Sequence, residues 1–257
     1  MLADLVAGAR EDAQSREALL SFDELAARAS QAGPVRDRAL LPPGQSQVGI
    51  IAEIKRASPS KGPLADIPDP VWLAGQYQAG GASAISVLTE QRRFLGSLDD
   101  LESVAREVEI PVLRKDFITT DYQVVEARAH GASIVLLIMA ALDDQTAGHL
   151  LSLAREWGMA ALVEAHSADE VRRAVDLGAT IIGINARDLT TFDVDSGLFG
   201  RLREMIPGGV AAVAESAVKT PADVARYRNA GADYVLVGEA LVTGVNPQQT
   251  VREYLQS

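Results

Sequence analysis

Four times the chain writes Gly-Ala, a short polar residue and then an apolar run. The phrases are GASAISVL, GASIVLLI, GATIIGIN and GADYVLVG, beginning at Gly81, Gly131, Gly178 and Gly231, about 50 residues apart. Each follows a stretch of helical periodicity: DPVWLAGQYQAG, DYQVVEARAHG, ADEVRRAVDLG and PADVARYRNAG. Glycine just past a helix lets the chain turn through the left-handed region, and the run after it reads as a strand. Midway between them lie four more apolar runs, VGIIAEI, PVLRKD, MAALVEA and GVAAVAES. The runs are continuous rather than alternating, as in parallel strands covered on both faces. Eight strand–helix units at roughly 25 residues each predict a closed (β/α)8 barrel of the α/β class. An open doubly wound sheet is the rival, but no G-x-G-x-x-G follows the first strand.

Residues 1–47 precede that first strand and read as an N-terminal helical extension of a barrel spanning 48–257, one domain overall. Leu2, Leu5, Val6, Ala9 and Ala13 keep helical spacing, and SFDELAARAS reads as a second helix capped by Ser21 with Glu24 three residues on. GPVRDRALLPPGQ is a connector rich in Pro and Gly. The extension either packs over one end of the barrel or forms a partial lid.

Charge narrows the function. With 24 Lys and Arg against 35 Asp and Glu, the net charge of -11 makes a poor footprint for nucleic acid or an anionic membrane. A small anionic substrate fits only if cations are gathered locally. The chain has no cysteine, which fits a cytoplasmic protein without disulfide or thiolate chemistry. Its start, MLADLVAGAREDAQ, lacks the basic region and long apolar stretch of a signal peptide, and no run has the length of a membrane span. His130, His149 and His166 are far apart without metal-ligand spacing, so they read as surface or mouth positions and no metal is expected.

In such a barrel the chemistry sits where the strands end. Glu53 and Lys55 in IIAEIKRASPSKGPL lie two apart on a strand and point the same way. Reading on, the ends carry Thr89 and Glu90, Lys115 and Asp116, Glu164, Asn185 and Arg187, Glu215 and Ser216, then Gly238 and Glu239. One salt bridge could be structural; lysines and acids converging on one mouth point to a site. A lysine among other cations and apolar walls would have its pKa drawn toward neutrality and serve as a general acid. Small residues after the seventh and eighth strands leave backbone N–H groups to face a phosphate.

IIAEIKRASPSKG, VLRKDFI, ALVEAH, IIGINARDLTTFDVD and AVAESAV together resemble the indole-3-glycerol phosphate synthase family. The resemblance implies ring closure, decarboxylation and dehydration of 1-(2-carboxyphenylamino)-1-deoxyribulose 5-phosphate in tryptophan biosynthesis, a carboxy-lyase reaction without metal or organic cofactor. It implies Lys115 as the acid that protonates the ketone, and Glu164 as base or electrostatic stabiliser. Lys55 would lie between the carboxylate and the departing hydroxyl, with Glu53, Asn185 and Arg187 holding it and the sugar hydroxyls. Ser58, Ser216, Ala217 and the backbone of Gly238 and Glu239 would take the phosphate. Pro59, Phe94, Phe117, Leu136, Leu189 and Leu236 would wall the anthranilate ring. The partner is then a phosphorylated small molecule, with no nucleic acid or membrane, and a monomer is compatible with the sequence.

One residue departs from the family pattern: Ala217 stands where the family usually has Gly after Glu-Ser. If the turn needs φ > 0, alanine is strained there and phosphate affinity is expected to suffer. Two rival functions remain: a sugar-phosphate isomerase on the same fold, which needs an acid and base suited to an Amadori rearrangement, and a catalytically silent metabolite-binding paralogue. Against the second stand Glu53, Lys55, Lys115 and Glu164, all present.

Overall fold

The computed structural model describes residues 1–36, 48–189 and 191–257. Residues 37–47, which hold most of the expected connector and the boundary at 47, lie outside the described residues. Eight strands form a closed parallel barrel: β1 Gly49–Ile54, β2 Ala84–Leu88, β3 Val112–Lys115, β4 Ile134–Ile138, β5 Ala160–Ala165, β6 Ile181–Asn185, β7 Ala211–Glu215 and β8 Tyr234–Val237. They neighbour one another in chain order, and β8 closes on β1 through the register Gly49↔Tyr234 to Ala52↔Val237. All eight expected runs are strands, and Gly81, Gly131, Gly178 and Gly231 all have φ between 74° and 98°. Each therefore supplies the left-handed turn that carries a helix into the next strand.

The helices are α1 Leu2–Glu17, α2 Phe22–Gln31, α3 Pro70–Gly80, α4 Leu98–Glu107, α5 Asp121–Ala129, α6 Asp144–Glu156, α7 Ala168–Asp176, α8 Leu198–Leu202, α9 Pro221–Asn229, α10 Glu239–Val242 and α11 Pro247–Leu255. Strand residues pointing outward, such as Ile50, Ile85, Val135 and Val235, join the inner faces of the helices in one large core. Those pointing inward, among them Ile51, Leu113, Ile134, Leu162, Ile181 and Val213, fill the barrel itself. The interior is thus packed, and a cavity opens above the strands' C-terminal ends.

The N-terminal extension has two attachments. Ala13 of α1 and Leu25 and Ala29 of α2 pack with Tyr122, Val125 and Ala129 of α5, and Ser21 and Glu24 form the expected capping box. Leu5 and Ala9 of α1 instead join the interior cluster beside Phe117, Leu136 and Ile138. Polar clasps fix the helix in place: Arg16 Nε bonds Glu126 Oε1 at 2.6 Å, and Arg92 pairs with Glu11 and Asp12. So α1 reaches the C-terminal end of the barrel, not its base.

A second polar framework sits outside β3. Arg114, fully buried, donates to Thr89, to Asp116 and to the Gln123 carbonyl, and pairs with Glu126 at 2.9 Å. Thr89 and Asp116, which the sequence places at strand ends, are mainly engaged in this framework. The Glu90 carboxylate accepts the backbone N–H groups of Arg92, Arg93 and Phe94 and so shapes the loop that carries Phe94.

Candidate active site

A cavity of about 580 Å³ opens above the strand ends. Every residue expected at the site lines it: Glu53, Lys55, Ser58, Pro59, Phe94, Lys115, Phe117, Leu136, Glu164, Asn185, Arg187, Leu189, Ser216, Ala217, Leu236, Gly238 and Glu239. The alternation of each strand, not proximity in sequence, brings these groups together.

At the end of β1, Lys55 Nζ lies 2.6 Å from Glu53 Oε1, and Ser86 Oγ donates to Glu53 Oε2 at 3.3 Å. Gly238, at the end of β8, makes room for this pair: a Cβ there would stand 2.5 Å from Glu53 Oε1 and 3.0 Å from Lys55 Nζ. Its lack of a side chain is therefore demanded by the Glu53–Lys55 pair, whatever its backbone does for a phosphate.

Lys115, from β3, reaches across to two acids at once. Its Nζ is 3.2 Å from Glu164 Oε2 and 3.1 Å from Glu215 Oε2. Glu164 Oε1 also accepts from Asn185 Nδ2 at 3.2 Å, and His166 Nε2 lies 3.3 Å from the same oxygen. Asn185 Oδ1 in turn accepts from Ser216 Oγ at 2.8 Å and from the Arg187 backbone N–H at 3.0 Å. Glu215 has one orphan: its Oε1 is buried without a hydrogen-bond partner, against the backbone of Gly183.

This corrects the environment expected for Lys115. Burial does work against the Lys115 charge, but Glu215, Glu164 and Glu53 outweigh it and hold the ammonium above the usual lysine range. Its neighbours are carboxylates, not cations. Burial likewise opposes the charge of Glu164, yet Lys115 and then His166 hold that carboxyl well below the usual carboxylate range. Glu53 follows the same pattern, lowered against burial by Lys55 and Lys115. Glu215 goes the other way: burial, with the charge of Glu164 beside it, pushes it up to about 8 in spite of Lys115. Two carboxylates flank one cation, and the second keeps its proton.

At the β7 end, Ser216 and Ala217 both adopt left-handed backbone, with φ of 69° and 60°. Tyr227 Oη donates to the Ser216 carbonyl at 3.2 Å, and Arg226 Nη2 donates to that of Ala217 at 3.4 Å. The departure at Ala217 thus falls on a position where glycine would be unstrained. Across the mouth, the short hairpin of Ala57–Ser58 with Gly62–Pro63 carries Ser58 and Pro59, and Lys61 beside it forms an ion pair with Glu239. On the apolar side, Phe94 and Phe117 meet with ring centroids 6.2 Å apart.

Several lining residues had no site role assigned from the sequence: Leu5, Lys61, Phe192, Val194, Glu215, Lys219, Asp223 and Arg226 among them. Glu215 had a signal, since it ends a strand; Lys219 and Arg226 had one in the segment after it. Leu5 and Val194 had none. Of the histidines, His149 is exposed beside Asp121, His130 lines a separate cleft with Arg28, and His166 stands beside Glu164 without lining the cavity.

Residues 2–254 match the family model of indole-3-glycerol phosphate synthase. The chain belongs to that family. Indole-3-glycerol phosphate synthase from Leifsonia xyli is 58% identical over 255 residues, covering 99% of this chain and 97% of the relative. The synthase 1 of Streptomyces coelicolor is 53% identical, covering 98% and 94%. Among solved structures, 3-hexulose-6-phosphate synthase from Salmonella typhimurium superposes with a TM-score of 0.66 at 16% identity, covering 81% of this chain and 97% of that one. At such identity the likeness is one of fold. Within the indole-3-glycerol phosphate synthase family, the mouth described above is where strand-end chemistry belongs, and the fold resemblance to other phosphate-metabolising barrels adds no substrate.

Proposed function

We propose that this chain is an indole-3-glycerol phosphate synthase, a carboxy-lyase of tryptophan biosynthesis. It closes the pyrrole ring of 1-(2-carboxyphenylamino)-1-deoxyribulose 5-phosphate with loss of carbon dioxide and water. The observation that carries the reading is Lys115 held between two buried acids on a mouth that also presents Lys55, in a chain of this family.

In this scheme the aromatic carbon bearing the carboxylate attacks the ketone carbon, and Lys115 gives its proton to the ketone oxygen as the bond forms. An ammonium held above the usual range is fully protonated at neutral pH, and the developing alkoxide is basic enough to take the proton. Carbon dioxide then leaves, and the electron pair it leaves behind restores the aromatic ring. The new hydroxyl departs as water with a neighbouring C–H proton, for which Lys55 is the donor and Glu164 or Glu53 the acceptor. Glu164 also balances positive charge on the anilino nitrogen during closure. Phe94, Phe117, Leu136, Leu189, Leu236 and Pro59 enclose the ring. Ser58, the Ser216–Ala217 turn and the backbone of Gly238 and Glu239 receive the phosphate; the Ser216 hydroxyl swings from Asn185 to do so. Arg187 and Asn185 hold the sugar hydroxyls.

The reading extends to a cytoplasmic monomer that works without metal or organic cofactor. A chain without cysteine suits a reducing compartment, and all the groups named come from one copy. Among the described residues no helix is long and apolar enough to cross a membrane. Incubating the purified protein with the substrate and following indole fluorescence tests the activity. Absence of product, with phosphorylated aminoketose isomerised instead or bound unchanged, would favour the isomerase or the silent paralogue.

A further inference from the structure

Behind Glu164, away from Lys115, stands an imidazole that the scheme above leaves unused. His166 lies two residues after Glu164, where β5 runs out toward α7, and its side chain is 11% exposed. One ring nitrogen, Nε2, is 3.3 Å from Glu164 Oε1, and the other, Nδ1, is 3.3 Å from Glu170 Oε2. Glu170 is itself fixed. Its Oε2 accepts the His166 backbone N–H at 2.9 Å, and its Oε1 accepts from Ser167 Oγ at 3.2 Å. Ser167 caps α7 by accepting the Glu170 N–H at 3.2 Å. A chain of contacts therefore runs from the cavity to the first turn of a helix.

This geometry decides the protonation of the ring. A neutral imidazole has one N–H and one lone pair, so either tautomer would aim a lone pair at a carboxylate oxygen. Only the imidazolium offers a proton to each side. The Nε2 atom has no aligned hydrogen bond, so its contact with Glu164 is an ion pair across 3.3 Å. Burial disfavours the charge, but Glu164 and Glu170 prevail and push the histidine up to about 10. The charged groups facing the ring are Glu164 from β5 and Glu170 from α7, with Lys115 of β3 beyond the Glu164 carboxylate.

We propose that His166 is a positioning residue: an imidazolium anchored by Glu170 that keeps Glu164 ionised and aimed into the cavity while Lys115 is without its proton. The need for it arises within the reaction. Once Lys115 has protonated the ketone, Glu164 loses the cation on Oε2 and is a buried carboxylate with a neutral neighbour. An unpaired buried carboxylate takes up a proton or turns toward solvent. His166 supplies a second cation on Oε1 that the chemistry never discharges.

The proposal rests on the catalytic reading of Glu164 and Lys115, and the test separates the two. In His166→Leu, kcat should fall by roughly 10- to 100-fold with KM within about threefold, because the defect lies in the reacting state rather than in binding. In a Glu164→Gln background, where there is no carboxylate to hold, His166→Leu should cost less than about twofold further. A full kcat in His166→Leu, or the same factor lost in both backgrounds, overturns the proposal. Should His166→Leu fail to fold, Glu170→Gln keeps the ring and removes its anchor. It should lower kcat severalfold with KM intact, and unchanged turnover overturns the proposal. Wild-type turnover of Glu164→Gln would remove Glu164 from the mechanism and the clamp with it. An inactive Glu164→Gln beside a fully active His166→Leu would overturn the clamp alone.

Discussion

Replacing Gly183 by alanine should dislodge Glu215 and, through it, Lys115. Gly183 occupies the middle of β6, an ordinary strand position where alanine needs no unusual backbone. The added Cβ would stand 2.1 Å from Glu215 Oε1 and 3.2 Å from its carboxyl carbon, about an ångström inside van der Waals contact. That oxygen has no hydrogen bond to keep it there, so the carboxyl yields and rotates away from Lys115. Alanine in place of glycine gains about 0.5–1 kcal/mol of backbone entropy. Loss of the charged hydrogen bond to Lys115 costs about 1.5–3 kcal/mol. The net loss of about 1–2 kcal/mol corresponds to a Tm lower by roughly 2–8 °C in a chain of this size. With only Glu164 left, Lys115 is drawn toward that side. A misplacement of about 1 Å at the proton donor is enough for up to about 100-fold in kcat. Thermal melts and steady-state indole fluorescence measure both effects. In a Glu215→Ala background the clash has no partner, and Gly183→Ala should be neutral or stabilising. Gly183→Ala that melts higher than the parent with unchanged kcat would refute the packing argument.

Lys115→Met should lower kcat by roughly 10²- to 10⁴-fold. It should also lower Tm, because it leaves the buried Glu164 carboxylate without the cation on its Oε2; adding Glu164→Gln should restore much of the melting temperature. Glu215 titrates near 8 in the fold against 4.5 unperturbed, so the folded chain holds a proton that the unfolded chain has released. Stability therefore falls as pH rises between those values, and melts across pH should show Glu215→Gln flattening the decline between about 4.5 and 6.5. Above 6.5 a decline should persist in that variant, because His166 then adds its own loss up to about 10. Ala217→Gly should change KM and phosphate inhibition by less than about twofold. The strain of about 1–2 kcal/mol at φ 60° is present before any ligand binds, so relieving it raises stability by at most about 1.5 kcal/mol after glycine's entropy is set against it. A tenfold fall in KM would show that the turn forms only with phosphate.

The barrel was legible because its signal is local and repeated. Gly81, Gly131, Gly178 and Gly231 each end a helix in left-handed backbone, and this is written within a dozen residues. The strand ends followed, since a closed parallel barrel points them all to one mouth. Who pairs with whom was not legible. Lys115 and Glu215 are far apart in the chain, and only the circumference of the barrel brings two acids to one lysine, against the expectation of neighbouring cations. Leu5 belongs to a helix whose sequence says that it buries a face but not against what. His166 looked like a rim residue because its two partners, Glu164 and Glu170, lie on either side of a strand-to-helix turn whose shape the sequence does not state.

Gly238 and the Glu53–Lys55 pair stand on opposite sides of the barrel's seam, where the final strand meets the first. During synthesis β1 emerges first and must wait for nearly the whole chain before β8 can pair with it, a long-range contact and among the slowest to form. Until then β1 is an open edge, and Glu53 and Lys55 lack one wall of their surroundings. Unlike the Lys115 cluster, which is complete once β7 has docked, this half of the mouth exists only in a ring that has shut. Turnover by a nascent or fragmented chain is therefore a direct report on whether the seam has closed.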